Sequence, residues 1–117
     1  MHSKHFNSGS SIHYNSDLSG DVLITGEAPG GEIEQVKIDG NDLVDFVVVQ
    51  KLGTSIIEDV ESMTGLELLA KITKIAGCVQ KCPEIIIWKE KTRKVIARHM
   101  AIHVADEITE EIFNELC

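Results

Sequence analysis

Apolar and polar positions along this chain follow two rhythms. In residues 12–38 the period is two: Ile12 and Tyr14 alternate with His13 and Asn15, and Glu34, Val36 and Ile38 alternate with Gln35 and Lys37. Between them Val22, Leu23, Ile24 and Thr25 form an apolar, β-branched run. Such segments predict strands. Ser16-Asp17-Leu18-Ser19-Gly20 and Ala28-Pro29-Gly30-Gly31 interrupt them with turn-forming residues, so the region reads as a three-stranded meander.

Further on the rhythm becomes helical. Gly40-Asn41-Asp42 is a turn that places Asn41 or Asp42 at a helix N-cap. Residues 43–52 are apolar on most sides, as in a helix buried in a core or an oligomer interface, although the triple valine also suits a strand. Gly53 ends it. Ser55 with Glu58, and Thr64 with Glu67, have the spacing of capping boxes. Ile56, Val60 and Met63 form one short stripe; Leu66, Leu69, Ile72 and Ile75 form a longer one that stops at Gly77.

Ile85-Ile86-Ile87-Trp88 reads as a buried strand, Glu90-Lys91-Thr92 as a turn, and residues 94–98 as the returning strand of a β-hairpin. From about Ala97 a helical arc of Ala97, Met100, Ala101, Val104, Ile108 and Ile112 predicts a C-terminal amphipathic helix. Residues 1–11, rich in Ser, Asn and His, read as a polar tail. The fold expected is α+β, with an N-terminal antiparallel β-meander, central helices, a β-hairpin and a C-terminal amphipathic helix. It forms a single domain over residues 12–117.

Composition narrows the function classes. A chain of 117 residues with 43% hydrophobic and 26% charged positions matches one globular domain. A net charge of −8 disfavours general nucleic-acid binding and anionic membranes. Three cysteines, with no apolar leader at the start, suit a reducing cytoplasm better than a disulfide framework. No apolar run approaches the roughly 18 residues of a membrane span.

Four constellations are candidates for chemistry. Lys81, Lys89, Lys91, Arg93, Lys94 and Arg98 stand against only Glu84 and Glu90, a local charge of +4 that leaves −12 for the rest of the −8 chain. Both arginines and the only tryptophan, Trp88, lie there. Guanidinium forks grip phosphate or carboxylate, and an indole stacks on a base, so Trp88, Arg93, Lys94 and Arg98 suit a nucleotide-like anion. The same charges also suit a solvated hairpin whose lysines guard an edge strand.

Second, Cys78-x3-Cys82 followed after sixteen residues by His99-x3-His103 has the order of a Cys2His2 zinc site. The two histidines chelate only if that segment is helical, and two buried cysteines near a helix end are the plainer reading. Third, His99, His103, Asp106 and Glu110 share one face of the expected helix, which suits either a divalent metal or plain solvation. Fourth, the polar turn around His13, Tyr14 and Asn15 is dense in hydrogen-bonding groups, as in a ligand loop or an ordinary turn. No phosphate-cradling glycine loop and no Gly-x-Ser-x-Gly elbow is present, so the residues point away from an enzyme.

The segment Ile12-His13-Tyr14-Asn15-Ser16-Asp17-Leu18-Ser19-Gly20-Asp21-Val22-Leu23-Ile24 leads into the apolar helix at 42–52 and an acidic helical stretch at 57–69. It resembles the opening of small phage and bacterial hairpin-plus-helix proteins, among them the Thoeris anti-defence sponges. The resemblance covers about half the chain and implies a non-catalytic binder that sequesters nucleotide immune signals as a homo-oligomer. It carries no ligand residue to a position of this sequence. The expected function is therefore a non-enzymatic binding protein, homo-oligomeric, that sequesters a small anionic, nucleotide-like ligand through Trp88, Arg93, Lys94, Arg98, Tyr14 and Asn15. Two alternatives stand beside it: an acidic protein–protein inhibitor or adaptor with a basic partner, and a zinc-binding protein. No cofactor other than that zinc is expected.

Overall fold

Alternation along the first third of the chain is realised as an antiparallel sheet of four strands in sequence order: β1 (His2–His5), β2 (Ser11–Tyr14), β3 (Asp21–Glu27) and β4 (Ile33–Asp39). The computed structural model describes residues 2–15, 20–43, 46–54, 57–76 and 83–116. Register pairs Ile12 with Ile24, Ile24 with Val36 and Val22 with Ile38. Side chains alternate across a strand, so Ile12, Tyr14, Val22, Ile24 and Ile38 share the buried face, and His13, Leu23 and Lys37 lie on the other. Between β3 and β4, Gly31 N donates to Ala28 O at 2.9 Å. Gly31 there has φ 90°, a left-handed conformation that glycine adopts without strain.

The expected polar tail is instead a strand. Residues 2–5 carry no apolar rhythm, yet His2 pairs with Tyr14 and Lys4 with Ile12, adding β1 at the sheet edge. Pairing to an existing edge requires backbone groups, not apolar side chains, which is why hydropathy alone misses it.

Central helices form, but the stretch after the Ser55–Glu58 spacing is not one of them: residues 57–59 lie in no helix and only a 3-10 turn follows. α1 (Gly40–Leu43) starts where Asp39 Oδ1 accepts Asn41 N at 2.8 Å, so the capping carboxylate precedes Asn41 and Asp42. α2 (Phe46–Gly53) follows, then a short 3-10 turn (Val60–Ser62) and α3 (Gly65–Ala76). Thr64 Oγ1 accepts Glu67 N at 3.2 Å, half of the expected capping box. Ser55, Ile56 and Gly77 lie outside the described residues.

The expected β-hairpin is corrected to one helix, α4 (Pro83–Ala97). Proline is at home in a first helical turn. The buried positions are Ile85, Trp88, Thr92 and Ile96, a helical spacing, whereas Ile86 and Ile87 are 52% and 51% exposed. A run of four apolar residues fits strand and helix equally, and the polar but buried Thr92 hid the longer period. A turn over 98–100 separates α4 from α5 (Ile102–Leu116), so the last helix starts later than Ala97.

α5 lays Val104, Ala105, Ile108, Ile112 and Phe113 into the core between sheet and helices. Gly26 of β3 permits the close approach: a Cβ there would stand 2.7 Å from Val104 Cγ1. Ala101 N donates to Glu27 O at 2.8 Å, fastening the α4–α5 turn to β3. Among the described residues no helix is long and apolar enough to cross a membrane.

Candidate functional site

Because α4 is a helix, Lys89 and Arg93 stand one turn apart on the face turned to α5, where Asp106 and Glu110 are spaced alike. Lys89 Nζ pairs with Glu110. Arg93 grips Glu90 through Nη2 at 2.6 Å and Nε at 3.1 Å, and its Nη1 lies 3.6 Å from Asp106. The hydrogen bond from Arg93 holds the Glu90 carboxyl below its ordinary range; the same bond raises the Arg93 guanidinium. With Ile86 and Thr109 these residues line a cleft of about 300 Å³. Thr109 is 1% exposed and its Oγ1 has no hydrogen-bond partner among the described residues. A helical threonine usually returns its hydroxyl to the preceding turn, which this one on the cleft wall does not.

The residues expected to hold a nucleotide-like anion do not converge. Trp88 is 2% exposed, its ring packs 4.4 Å from that of Phe113, and its Nε1 donates to Leu43 O, so it offers no face to a base. Arg93 is already engaged by carboxylates. Lys94 is exposed on α4 and Arg98 lies in the following turn, beyond the helix that orients Arg93. Tyr14 is fully buried beneath the sheet and Asn15 half-buried at its end, far in the chain from α4.

The other sequence candidates fare unevenly. Cys78 and Cys82 lie outside the described residues. His99 sits in the turn before α5 while His103 is in its first turn, 3.2 Å from Glu27, so the two do not share one helix face. The expected His99, His103, Asp106 and Glu110 face is thereby broken: its carboxylates serve Arg93 and Lys89. In the polar turn His13 and Tyr14 point to opposite sides of the sheet, and Ser16 to Ser19 lie outside the described residues.

A second constellation was missed from sequence. Glu107, Glu111 and Glu115 repeat every fourth residue along α5, facing the β1–β2 hairpin. Glu107 Oε2 accepts Ser8 Oγ and Ser10 Oγ, each at 2.6 Å. His2 Nε2 lies 2.9 Å from Glu111 Oε1 and 3.8 Å from Glu115 Oε2. The Tyr14 ring stands edge-on to the His2 imidazole with centroids 4.9 Å apart, and its buried hydroxyl has no hydrogen-bond partner among the described residues. Burial first, then the charges of Glu111 and Glu115, raise that phenol above its ordinary range, so it stays a proton donor. The carboxylate stripe was legible in the spacing; its partner was not.

No family model, no curated protein and no solved structure matches this chain, so the resemblance of its opening hairpin to anti-defence sponges gains no support there.

Proposed function

We propose that this chain is a non-enzymatic binding protein that takes a small charged ligand in the α4–α5 cleft. The carrying observation is the buried Thr109 hydroxyl, unsatisfied at the wall of a cleft whose rim is charged. A volume near 300 Å³ is at the small end of ligand sites. The rim sets Lys89 and Arg93 against Glu90, Asp106 and Glu110, a net −1. A purely anionic ligand would have to displace those carboxylates, and no indole is available for stacking. A zwitterion matches better: its phosphate or carboxylate meets Arg93 and Lys89, and its ammonium meets Glu110 or Asp106.

Calorimetric titration with phosphorylated amines and free amino acids tests this, with a cyclic dinucleotide and ADP-ribose as arms for the sponge reading. Saturable binding that disappears in Arg93→Ala and Thr109→Val is expected. Binding that both variants retain overturns the assignment.

A second reading is an acidic adaptor for a basic protein. It is favoured by Glu58, Asp59, Glu61 and Glu67, all exposed, with no basic residue between Lys51 and Lys71. Such a complex weakens as salt is added. Self-association is supported by the exposed Val47 of α2 and Ile33 of β4, each 73% accessible. Sedimentation at rising concentration reads it directly.

A further inference from the structure

Beyond the cleft, the geometry points to a divalent transition-metal site where the N-terminal strand meets the C-terminal helix, with His2, Glu111 and Glu115 as ligands and Tyr14 as a hydrogen-bonding support. The ligand atoms, one imidazole nitrogen and two carboxylate oxygens, all lie within 4.8 Å of one another. Zinc bonds of roughly 2.0–2.2 Å place tetrahedral ligand atoms about 3.3–3.6 Å apart, inside the spread found here. Glu111 and Glu115 are one turn apart on α5, and His2 is held opposite by β1.

Three further observations favour a cation. The last turn of α5 has no basic residue, so Glu115 stands at the negative end of the helix dipole with Glu111 one turn before it. His2 and Glu111 are both shielded, with side-chain exposures of 28% and 16%. Above all, the Tyr14 hydroxyl is buried beside this cluster with no hydrogen-bond partner among the described residues. Three protein ligands leave a fourth position for water, and a phenol hydroxyl can donate to that water or to a ligating carboxylate. The donor set is one nitrogen and two oxygens, which suits Zn²⁺, Co²⁺ or Mn²⁺ better than Mg²⁺, whose preference is for oxygen alone. A bound ion would tie β1 to α5, adding to the His2–Glu111 hydrogen bond and to the Ser8 and Ser10 bonds that the β1–β2 turn gives Glu107.

Titration of the full chain with Zn²⁺, and separately with Co²⁺ and Mg²⁺, tests the site. Expected are one Zn²⁺ per chain, a Tm that rises with zinc, and loss of both effects in His2→Ala and Glu111→Gln. Tyr14→Phe, which keeps the ring and removes only the hydroxyl, weakens zinc by roughly tenfold. The Co²⁺ complex shows visible d–d bands without thiolate-to-cobalt charge transfer. Absence of zinc binding, binding undiminished in His2→Ala and Glu111→Gln, or a thiolate charge-transfer band that places the metal on cysteine would each overturn the proposal. If a variant fails to fold, the cobalt spectrum of the unaltered chain still decides between imidazole–carboxylate and thiolate ligands.

Discussion

Trp88 Nε1 donates to the main-chain carbonyl of Leu43 at 3.2 Å, and Thr92 Oγ1 reaches the same oxygen at 3.0 Å. Two α4 side chains one turn apart thus satisfy a carbonyl at the end of α1. Helix ends leave such carbonyls without intrahelical partners, and burying one unpaired is costly. The indole therefore works as a structural bolt between α1, α4 and α5. Its emission is expected at short wavelength and resistant to iodide, and Trp88→Phe is expected to lose about 1–3 kcal/mol in urea unfolding. Ready quenching by iodide in the native state would return Trp88 to the surface.

The helical reading of residues 83–97 separates neighbours within one isoleucine run. Ile85→Ala opens a cavity in the core and is expected to cost about 2–4 kcal/mol. Ile86→Lys and Ile87→Lys change half-exposed positions and are expected to stay within roughly 1 kcal/mol of the parent. Equal, severe losses at all three positions would favour a buried strand.

Gly26 and Val104 meet where α5 crosses β3. A Cβ at Gly26 would lie 2.7 Å from Val104 Cγ1, and a β-branched valine on a helix has little rotamer freedom to withdraw. Gly26→Ala is expected to destabilise by about 1–3 kcal/mol. Adding Val104→Ala removes the clash, so the double variant loses less than the sum of the two singles; strict additivity in chemical denaturation would mean the helix sits farther away.

Glu90 provides a pH signature. Its folded pKa is lowered from 4.5 by the Arg93 hydrogen bond. A depressed carboxylate contributes stability that is fully present above its unfolded value and is lost as pH falls through the lowered folded value. The window is therefore acidic, below 4.5. In Arg93→Ala the Glu90 midpoint, followed by carboxyl carbon NMR, is expected to move up towards 4.5; an unmoved midpoint removes the bond.

Thr109→Val exchanges an unsatisfied buried hydroxyl for a methyl of the same shape. Folding is expected to gain about 1 kcal/mol by urea titration, because a desolvated donor without a partner is removed. Stability and ligand affinity then move in opposite directions. A loss of stability would show that the hydroxyl is bonded after all.

Legibility from sequence differed between elements for identifiable reasons. Three of the four strands announced themselves because each has one buried face, so burial imprints alternation on the residues. β1 carries no such imprint: three of its four residues are exposed, and its order comes from β2 and from Glu111. In α4, Ile86 and Ile87 filled positions that a helix of this period leaves to solvent, and so imitated a buried strand. The Glu107, Glu111 and Glu115 spacing was present in the text of the chain, but His2 is 109 residues from Glu111, and no local pattern couples them.

What the sequence by itself determined is local: the strand rhythm of residues 12–38, the turn at Pro29 to Gly31, the apolar helix after Asp42, the cap at Thr64 and the amphipathic arc of α5. Neighbouring residues set these through sterics, capping and hydropathy. Only the tertiary structure decided that Trp88 faces the core, that Arg93 meets Asp106 across α4 and α5, and that His2 meets Glu111 and Glu115. Those outcomes depend on which surfaces of separate elements come together, and charge or hydropathy along the chain does not encode that.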